Sequence, residues 1–301
     1  MTDAIIVGGG PAGATAAVYI ARAGFTVTLI YKNLGALETA EGVENFYGFT
    51  KISGKSLVEK GLRQARAVGA KTIRREVVGL SQQEAMIYVE TPRKTFESKA
   101  VLLATGAARN TPKIPGLADL EGRGVSYCAI CDGFFYRGKH VAVLGSGAYA
   151  LHEAQDLLPL AASVTLLTNG KTPTANFPPS VKIHTEKIQE ITNKPPSTSP
   201  TLLTLNSQLS TLNSALLSSG EEIKISGLFI ADGMAGSGDL ARKIGAAIGE
   251  ENAISVDNEM KTTISGIWAA GDCVGGLKQI VKASHDGAIA GISIANFLRN
   301  F

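Results

Sequence analysis

Only three cysteines occur among the 301 residues, and the four histidines (His140, His152, His184, His285) form no His-x3-5-His pair. A structural zinc needs four ligands, so no metal centre is expected. Three cysteines are also too few for the disulfide framework of a small secreted domain; they suggest a reducing compartment with one reactive pair. No run of about 18 apolar residues exists, which argues against a membrane-spanning helix. The opening Ala4-Ile5-Ile6-Val7 runs straight into glycines, with no basic region before it and no cleavage site after it, and the expectation is a cytoplasmic chain. One-sided charge is lacking as well. The net charge is +3 with Lys and Arg scattered, which leaves no nucleic-acid footprint.

What is present is glycine and short apolar runs. Thirty-four glycines and 45% hydrophobic residues fit a compact α/β protein with tight strand-to-helix turns, and 301 residues suffice for two domains. The stretch Tyr127-Cys128-Ala129-Ile130-Cys131-Asp132-Gly133 organises the rest. Two cysteines separated by two residues can close a small disulfide ring, and the acid behind the second can take or give the proton that thiol chemistry requires. Cys128, Cys131 and Asp132 are therefore the candidate catalytic residues. Half of a zinc site is the alternative, but the only other cysteine, Cys273, lies far along the chain.

A buried strand at Ala4–Val7 leads into Gly8-Gly9-Gly10-Pro11-Ala12-Gly13 and an alanine-rich helix over residues 14–23. The spacing Gly8-x-Gly10-x-x-Gly13 gives a tight turn, room for a pyrophosphate against the backbone and close helix-to-strand packing. A second strand, residues 26–30, follows. At its end the usual ribose-binding acid is missing, and Tyr31, Lys32 and Asn33 stand there instead. A helix over residues 53–69, a β-rich piece over 71–96, and a strand ending in Ala104-Thr105-Gly106 come next.

After the cysteines, residues 140–144 form a strand that enters a second loop, Gly145-Ser146-Gly147-Ala148-Tyr149, 137 residues after Gly8. A helix and a further strand, residues 163–167, repeat the opening unit. Tyr149 stands where a small or polar residue is usual, and reads either as a surface aromatic or as a ring stacking on a cofactor. Residues 194–220 shift to Pro, Ser, Thr and Asn, the composition of a loose surface loop, with 201–207 a candidate strand. Residues 223–231 are strand-like, Gly271-Asp272 closes another strand, and 279–298 form a long helix whose small residues permit close approach to a ligand or partner. Cys273 reads as a small buried hydrophobe and not as a third redox thiol.

In this order, Cys128-Ala129-Ile130-Cys131-Asp132-Gly133-Phe134-Phe135, Val43-Glu44-Asn45-Phe46, Ala104-Thr105-Gly106-Ala107 and Ala269-Ala270-Gly271-Asp272 resemble the low-molecular-weight thioredoxin reductases over essentially the whole chain. The resemblance implies an α/β fold of two Rossmann-like nucleotide-binding domains (three-layer ββα), one inserted in the other. Residues 1–113 plus 234–301 would bind FAD, and 114–233 would be the inserted domain carrying the cysteines. FAD would lie on Gly8, Gly10, Pro11, Ala12 and Gly13, with Tyr31, Lys32, Leu37 and Ala104-Thr105-Gly106 around it. Asp272, after Gly271, would hold the ribityl chain; Asn45 would lie near the ring, and Lys278, Gln279 and Ile280 under it. Gly145, Gly147 and Tyr149 would belong to the second site. The resemblance also implies a homodimer and, as partner, a thioredoxin-like protein or small dithiol.

Departures from that family point to a changed redox partner. NADPH-using members carry His-Arg-Arg and a further arginine after the second strand of the inserted unit. Here Thr168-Asn169-Gly170-Lys171 stands there, with no arginine. A hydrogen bond to a charged group contributes roughly 1.5 to 3 kcal/mol, so losing two or three would weaken NADPH by about two to five orders of magnitude. Gly-Gly-Gln-Leu beside the flavin appears as Leu34-Gly35-Ala36-Leu37, and Arg-Gln-Ala at the last helix as Lys278-Gln279-Ile280. These features resemble the NADPH-independent branches, one fed by ferredoxin and one carrying a second FAD and running from dithiol to flavin. The retained second loop favours the second FAD. A thioredoxin reductase with ferredoxin or NAD(P)H as donor is the alternative enzyme, and a flavin-containing redox sensor the non-enzyme reading.

Overall fold

A computed structural model describes residues 2–107, 112–193, 212–249 and 253–301. The chain divides into two compact units, Met1–Arg109 with Ala235–Phe301, and Asn110–Met234.

The first unit begins with β1 (Ala4–Val7), α1 (Pro11–Arg22), β2 (Val27–Tyr31), α2 (Gly54–Ala67), β3 (Lys71–Arg74), β4 (Gly79–Gln83), β5 (Met86–Thr91), β6 (Lys94–Ser98) and β7 (Ala100–Leu103). α1 starts at Pro11, ahead of the expected residue 14, because proline's fixed φ and missing N–H suit the first helical turn. Gly42–Phe49 forms no strand; Val43 makes a single antiparallel bridge to Ile52.

The chain then builds the inserted unit: β8 (Val125–Ser126), α3 (Ala129–Asp132), β9 (His140–Leu144), α4 (Ala148–Leu157), β10 (Ser163–Leu167), β11 (Val181–His184), β12 (Ile188–Thr192), β13 (Ser214–Leu217), β14 (Glu222–Lys224) and β15 (Gly227–Ile230). Its parallel sheet has the order β11-β10-β9-β15-β8, beside an antiparallel β12-β13-β14 sheet. The candidate strand at 201–207 lies outside the described residues. Within the expected surface loop, however, Ser214–Leu217 is a strand, with Leu217 and Ala215 fully buried against Ile188 and Ile191. The expected strand over 223–231 is divided into β14 and β15 by Ile225 and Ser226.

The chain returns to the first unit with α5 (Ser237–Lys243), β16 (Ile267–Ala269) and α6 (Ile280–Arg299). Here the parallel sheet runs β16-β7-β1-β2-β3, and β4-β5-β6 form an antiparallel sheet. Ala4, Ile6, Leu29, Leu102 and Trp268, at alternate positions along their strands, share one core with α1, α2 and α6. The opposite parity, Ile5, Ile30, Val101 and Leu103, is buried too. A parallel sheet covered on both faces explains why these strands read as unbroken apolar runs. The expected α/β class with two Rossmann-like units, one inserted in the other, is what the chain adopts. Among the described residues no helix is long and apolar enough to cross a membrane.

Candidate active site

Cys128 and Cys131 are joined as a disulfide, with Cα atoms 5.3 Å apart. β8 delivers the chain to them and α3 turns it back, with Cys128 in extended conformation as the cap: its Sγ accepts the Cys131 N–H at 3.2 Å. Cys128 is buried and Cys131 exposed. Ser126 ties the turn to the acid. Its Oγ accepts the Cys128 N–H at 3.1 Å and donates to Asp132 Oδ2 at 2.7 Å. Neither this serine nor Glu153, which accepts the Ala129 N–H at 2.7 Å, was marked by sequence pattern. The nearest available signal was Ser126 standing two residues before Cys128 at the end of an apolar strand.

Around the disulfide, Phe134 and Phe135 are 68% and 69% exposed, and Ile130 is exposed as well. The Arg137 guanidinium lies 5.7 Å from the Phe134 ring centroid. Tyr136 packs edge-on against Phe229, and burial, with Asp132 adding charge repulsion, pushes its phenol above the usual range. Ile130, Phe134 and Phe135 thus leave large apolar side chains exposed within four residues of Cys131.

Tyr149 corrects the sequence expectation. It is fully buried in the face of α4, and its hydroxyl donates to the Tyr127 carbonyl at 3.4 Å. The ring is neither a surface aromatic nor free to stack on a cofactor. It is core beneath the cysteine turn.

The two glycine loops differ. In the first, Gly8 has φ +119°, and a Cβ there would strike the Ala104 carbonyl. A Cβ on Gly13 would strike the Gly8 carbonyl, yet one on Gly10 would meet nothing within 4 Å. α1 has no side-chain cap and no acid in its first turn, so none of its own side chains competes for its leading N–H groups. That is the arrangement a pyrophosphate needs, and the residues fit a dinucleotide. Tyr31 lies against Gly9, while Thr105 and Ser237 exchange N–H and hydroxyl hydrogen bonds that fix the turn after β7. Gly106 follows in the left-handed region, with φ +88°.

The small residues of α6 serve the chain itself: a Cβ on Gly287 would collide with the Ala12 carbonyl, so α6 lies directly on α1. Gly271, with φ +87°, sits against Ala12, and this brings Asp272 to the loop. Lys282 Nζ holds that turn, donating to the Gly271 and Gly275 carbonyls at 3.1 and 2.8 Å and pairing with buried Asp286 at 2.8 Å. The Gly271 N–H in turn donates to Asp286. The i, i+4 spacing of Lys282 and Asp286 was the overlooked signal. Asn45 Nδ2 donates to Gln279 Oε1 at 3.1 Å, joining two residues 234 positions apart. Leu37 instead packs on the core with α1 and α2, and Lys278 is exposed. Lys32, where the ribose-binding acid is missing after β2, pairs with Glu76 at 2.8 Å.

The second loop is braced by its own chain. Thr174 donates both its N–H, at 2.7 Å, and its hydroxyl, at 3.2 Å, to the Ser146 carbonyl. A Cβ on Gly147 would find Thr174 Oγ1 at 3.6 Å and the Gly233 carbonyl at 3.8 Å, unlike the open Gly10. Gly145 lies against the Ala231 carbonyl and Ala150. Lys171, the only cation where the family's arginines stand, is engaged by both carboxylate oxygens of Asp232 at 2.5 and 2.7 Å. Cys273 is buried, with its thiol pushed up to about 11 by desolvation, which leaves it protonated and unreactive at neutral pH.

A family profile described as "Pyridine nucleotide-disulphide oxidoreductase" matches residues 2–287. The chain is 33% identical to the thioredoxin reductase of Bacillus subtilis, over 98% of this chain and 94% of that protein. Among solved structures, the atypical thioredoxin reductase of Desulfovibrio vulgaris Hildenborough is similar, with TM-score 0.88 and 33% identity over 100% of this chain and 99% of that one. A ferredoxin-flavin thioredoxin reductase from Clostridium acetobutylicum has TM-score 0.71 and 28% identity, over 100% and 99%.

Proposed function

Because the chain belongs to the pyridine nucleotide-disulphide oxidoreductases and is a thioredoxin reductase-like, FAD-dependent disulfide oxidoreductase, we propose that it exchanges electrons with a thioredoxin-like dithiol or disulfide without drawing on NADPH. The observation that carries the second half is the second glycine loop, where Thr174 covers the Ser146 carbonyl and Asp232 already neutralises Lys171. A 2′-phosphate brought there would meet no arginine among residues 168–171 after β10 and would have to displace a carboxylate from Lys171.

The unit of Met1–Arg109 and Ala235–Phe301 would hold FAD on Gly8, Gly10, Pro11, Ala12 and Gly13, with Thr105, Gly271 and Asp272 beside it. FAD bound there supplies the two-electron couple for the cysteine pair. On the thiol side, a thiolate of the reduced pair attacks the partner's disulfide, forming a mixed disulfide and releasing one partner thiolate. The second cysteine sulfur then attacks that bond, closing Cys128–Cys131 and releasing the other thiolate. Two protons pass to the partner sulfurs, and Asp132, aimed by Ser126, is placed to relay them. Ile130, Phe134 and Phe135 provide the apolar surface on which the partner sits. The working form is a homodimer. Direction follows the relative potentials, where about 30 mV already equals about 1.4 kcal/mol for two electrons.

The donor to test first is a ferredoxin-type protein, as in the similar clostridial enzyme's name. In anaerobic mixing, neither NADPH nor NADH is expected to bleach the flavin within seconds; rapid bleaching by either would restore a nicotinamide donor. A second reading, with another FAD on the inserted unit, draws on α4, whose N-terminus at Gly147 has no side-chain cap and no acid in its first turn. A count of one flavin per chain on the purified protein would favour the first reading, and a count of two would select the second.

A further inference from the structure

Glu153 is the most deeply buried acid of the inserted unit among the described residues, at 1% exposed, and the exchange chemistry above makes no use of it. It lies on the buried face of α4 with Tyr149, Ala150, Ala154 and Leu157. A carboxylate on such a face is costly unless it is matched by donors. Its Oε2 accepts the N–H of Ala129, the residue directly after Cys128. The neighbouring N–H groups of the turn are committed as well, that of Cys128 to Ser126 and that of Cys131 to the Cys128 sulfur. The Ala129 donor stands at the start of the turn; here it is taken by the Glu153 carboxyl.

We propose that Glu153 is a positioning residue of the reactive pair: through Ala129 it fixes the cysteine turn, and its charge holds down the thiolate content of the reduced Cys128/Cys131 pair. This rests on the pair's being the working dithiol. The titratable and charged groups on the elements packed against the turn are Asp132 within it, Tyr127 with Glu121 before it, and Tyr136 and Arg137 after it. From α4 come Tyr149, Glu153 and the His152–Asp156 pair. Of these, Glu153 alone is a buried acid bonded to the turn's backbone.

The test is the pH profile of iodoacetamide alkylation of Cys128 and Cys131, read by mass spectrometry on the full-length holoenzyme after chemical reduction. Glu153→Gln keeps the shape and an acceptor and removes the charge. About one unit of thiol shift gives roughly tenfold more thiolate at pH 7; the accompanying loss of nucleophilicity takes back about a factor of three. The variant is therefore expected to react roughly threefold faster at pH 7 and more slowly than the wild type at alkaline pH, once ionisation no longer distinguishes the two. Glu153→Met, of similar volume, is the second variant and should show the same crossing profiles. Equal profiles, or acceleration at every pH from simple loosening of the turn, would overturn the proposal. Chemical reduction makes the result independent of the physiological donor. Failure of the functional reading shows separately, as turnover that survives Cys128→Ser.

Discussion

Ser126 touches both ends of the cysteine turn with one hydroxyl, taking the Cys128 N–H and giving its proton to Asp132. Ser126→Ala leaves Asp132 without the donor that orients it, and turnover with a dithiol partner is expected to fall about tenfold or more, in line with a mispositioned general acid–base. Steady-state rates compared with Ser126→Thr, which restores the hydroxyl, check this. Cys273 gives a second test at the same scale. Its thiol sits at about 11 in the folded protein against 9.0 for an ordinary one, so the folded state holds its proton more tightly. The stability this contributes is complete below about pH 9 and is lost as pH rises toward about 11, on the order of 3 kcal/mol in all. Urea midpoints of the wild type are expected to fall across that window, and Cys273→Ala to lack that component. Cys128, Cys131 and Asp132 were legible because their chemistry sits in consecutive residues. Glu153 was not, since it reaches Ala129 from 24 positions away on a helix whose pattern reads as ordinary core.

The strands of both parallel sheets were legible at the scale of the element, as short apolar runs ending in glycine, and so were the helices that follow them. Boundaries shifted where one residue overruled periodicity, as Pro11 did at α1. β13 was obscured by the polar composition before it, because burial of Ala215 and Leu217 depends on partners in β12. The first glycine loop separates two roles that its spacing alone does not. Gly10→Ala is expected to leave folding intact and to weaken FAD binding, since the added methyl enters open space at the cradle. Gly8→Ala, strained by its φ and blocked by Ala104, should lose both fold and flavin; thermal melts with and without FAD distinguish the two. In α6, Lys282→Met takes the ammonium partner from buried Asp286 and leaves it the Gly271 N–H and the exposed His285, and is expected to cost roughly 2–4 kcal/mol in urea unfolding.

For the whole molecule, repetition of one strand–loop–helix plan 137 residues apart made the two-unit architecture readable. What the repeat concealed is that the second copy is tied to the loop after β10: Thr174 reaches Ser146 across 28 positions, and Lys171 reaches Asp232 across 61. Both contacts depend on the folded path of the loop after β10 and leave no local pattern. Light scattering of the purified protein is expected to give twice the chain mass, and a single-chain mass would remove the proposed homodimer.

The seating of Gly287 on the Ala12 carbonyl ties α1 to a helix made only after the inserted unit. The inserted unit, Asn110–Met234, is contiguous and leaves the ribosome whole well before that helix does. Nascent chains stalled ahead of Ile280 should therefore carry a protease-resistant cysteine unit and retain no flavin, so that colour arrives only once that helix has been made.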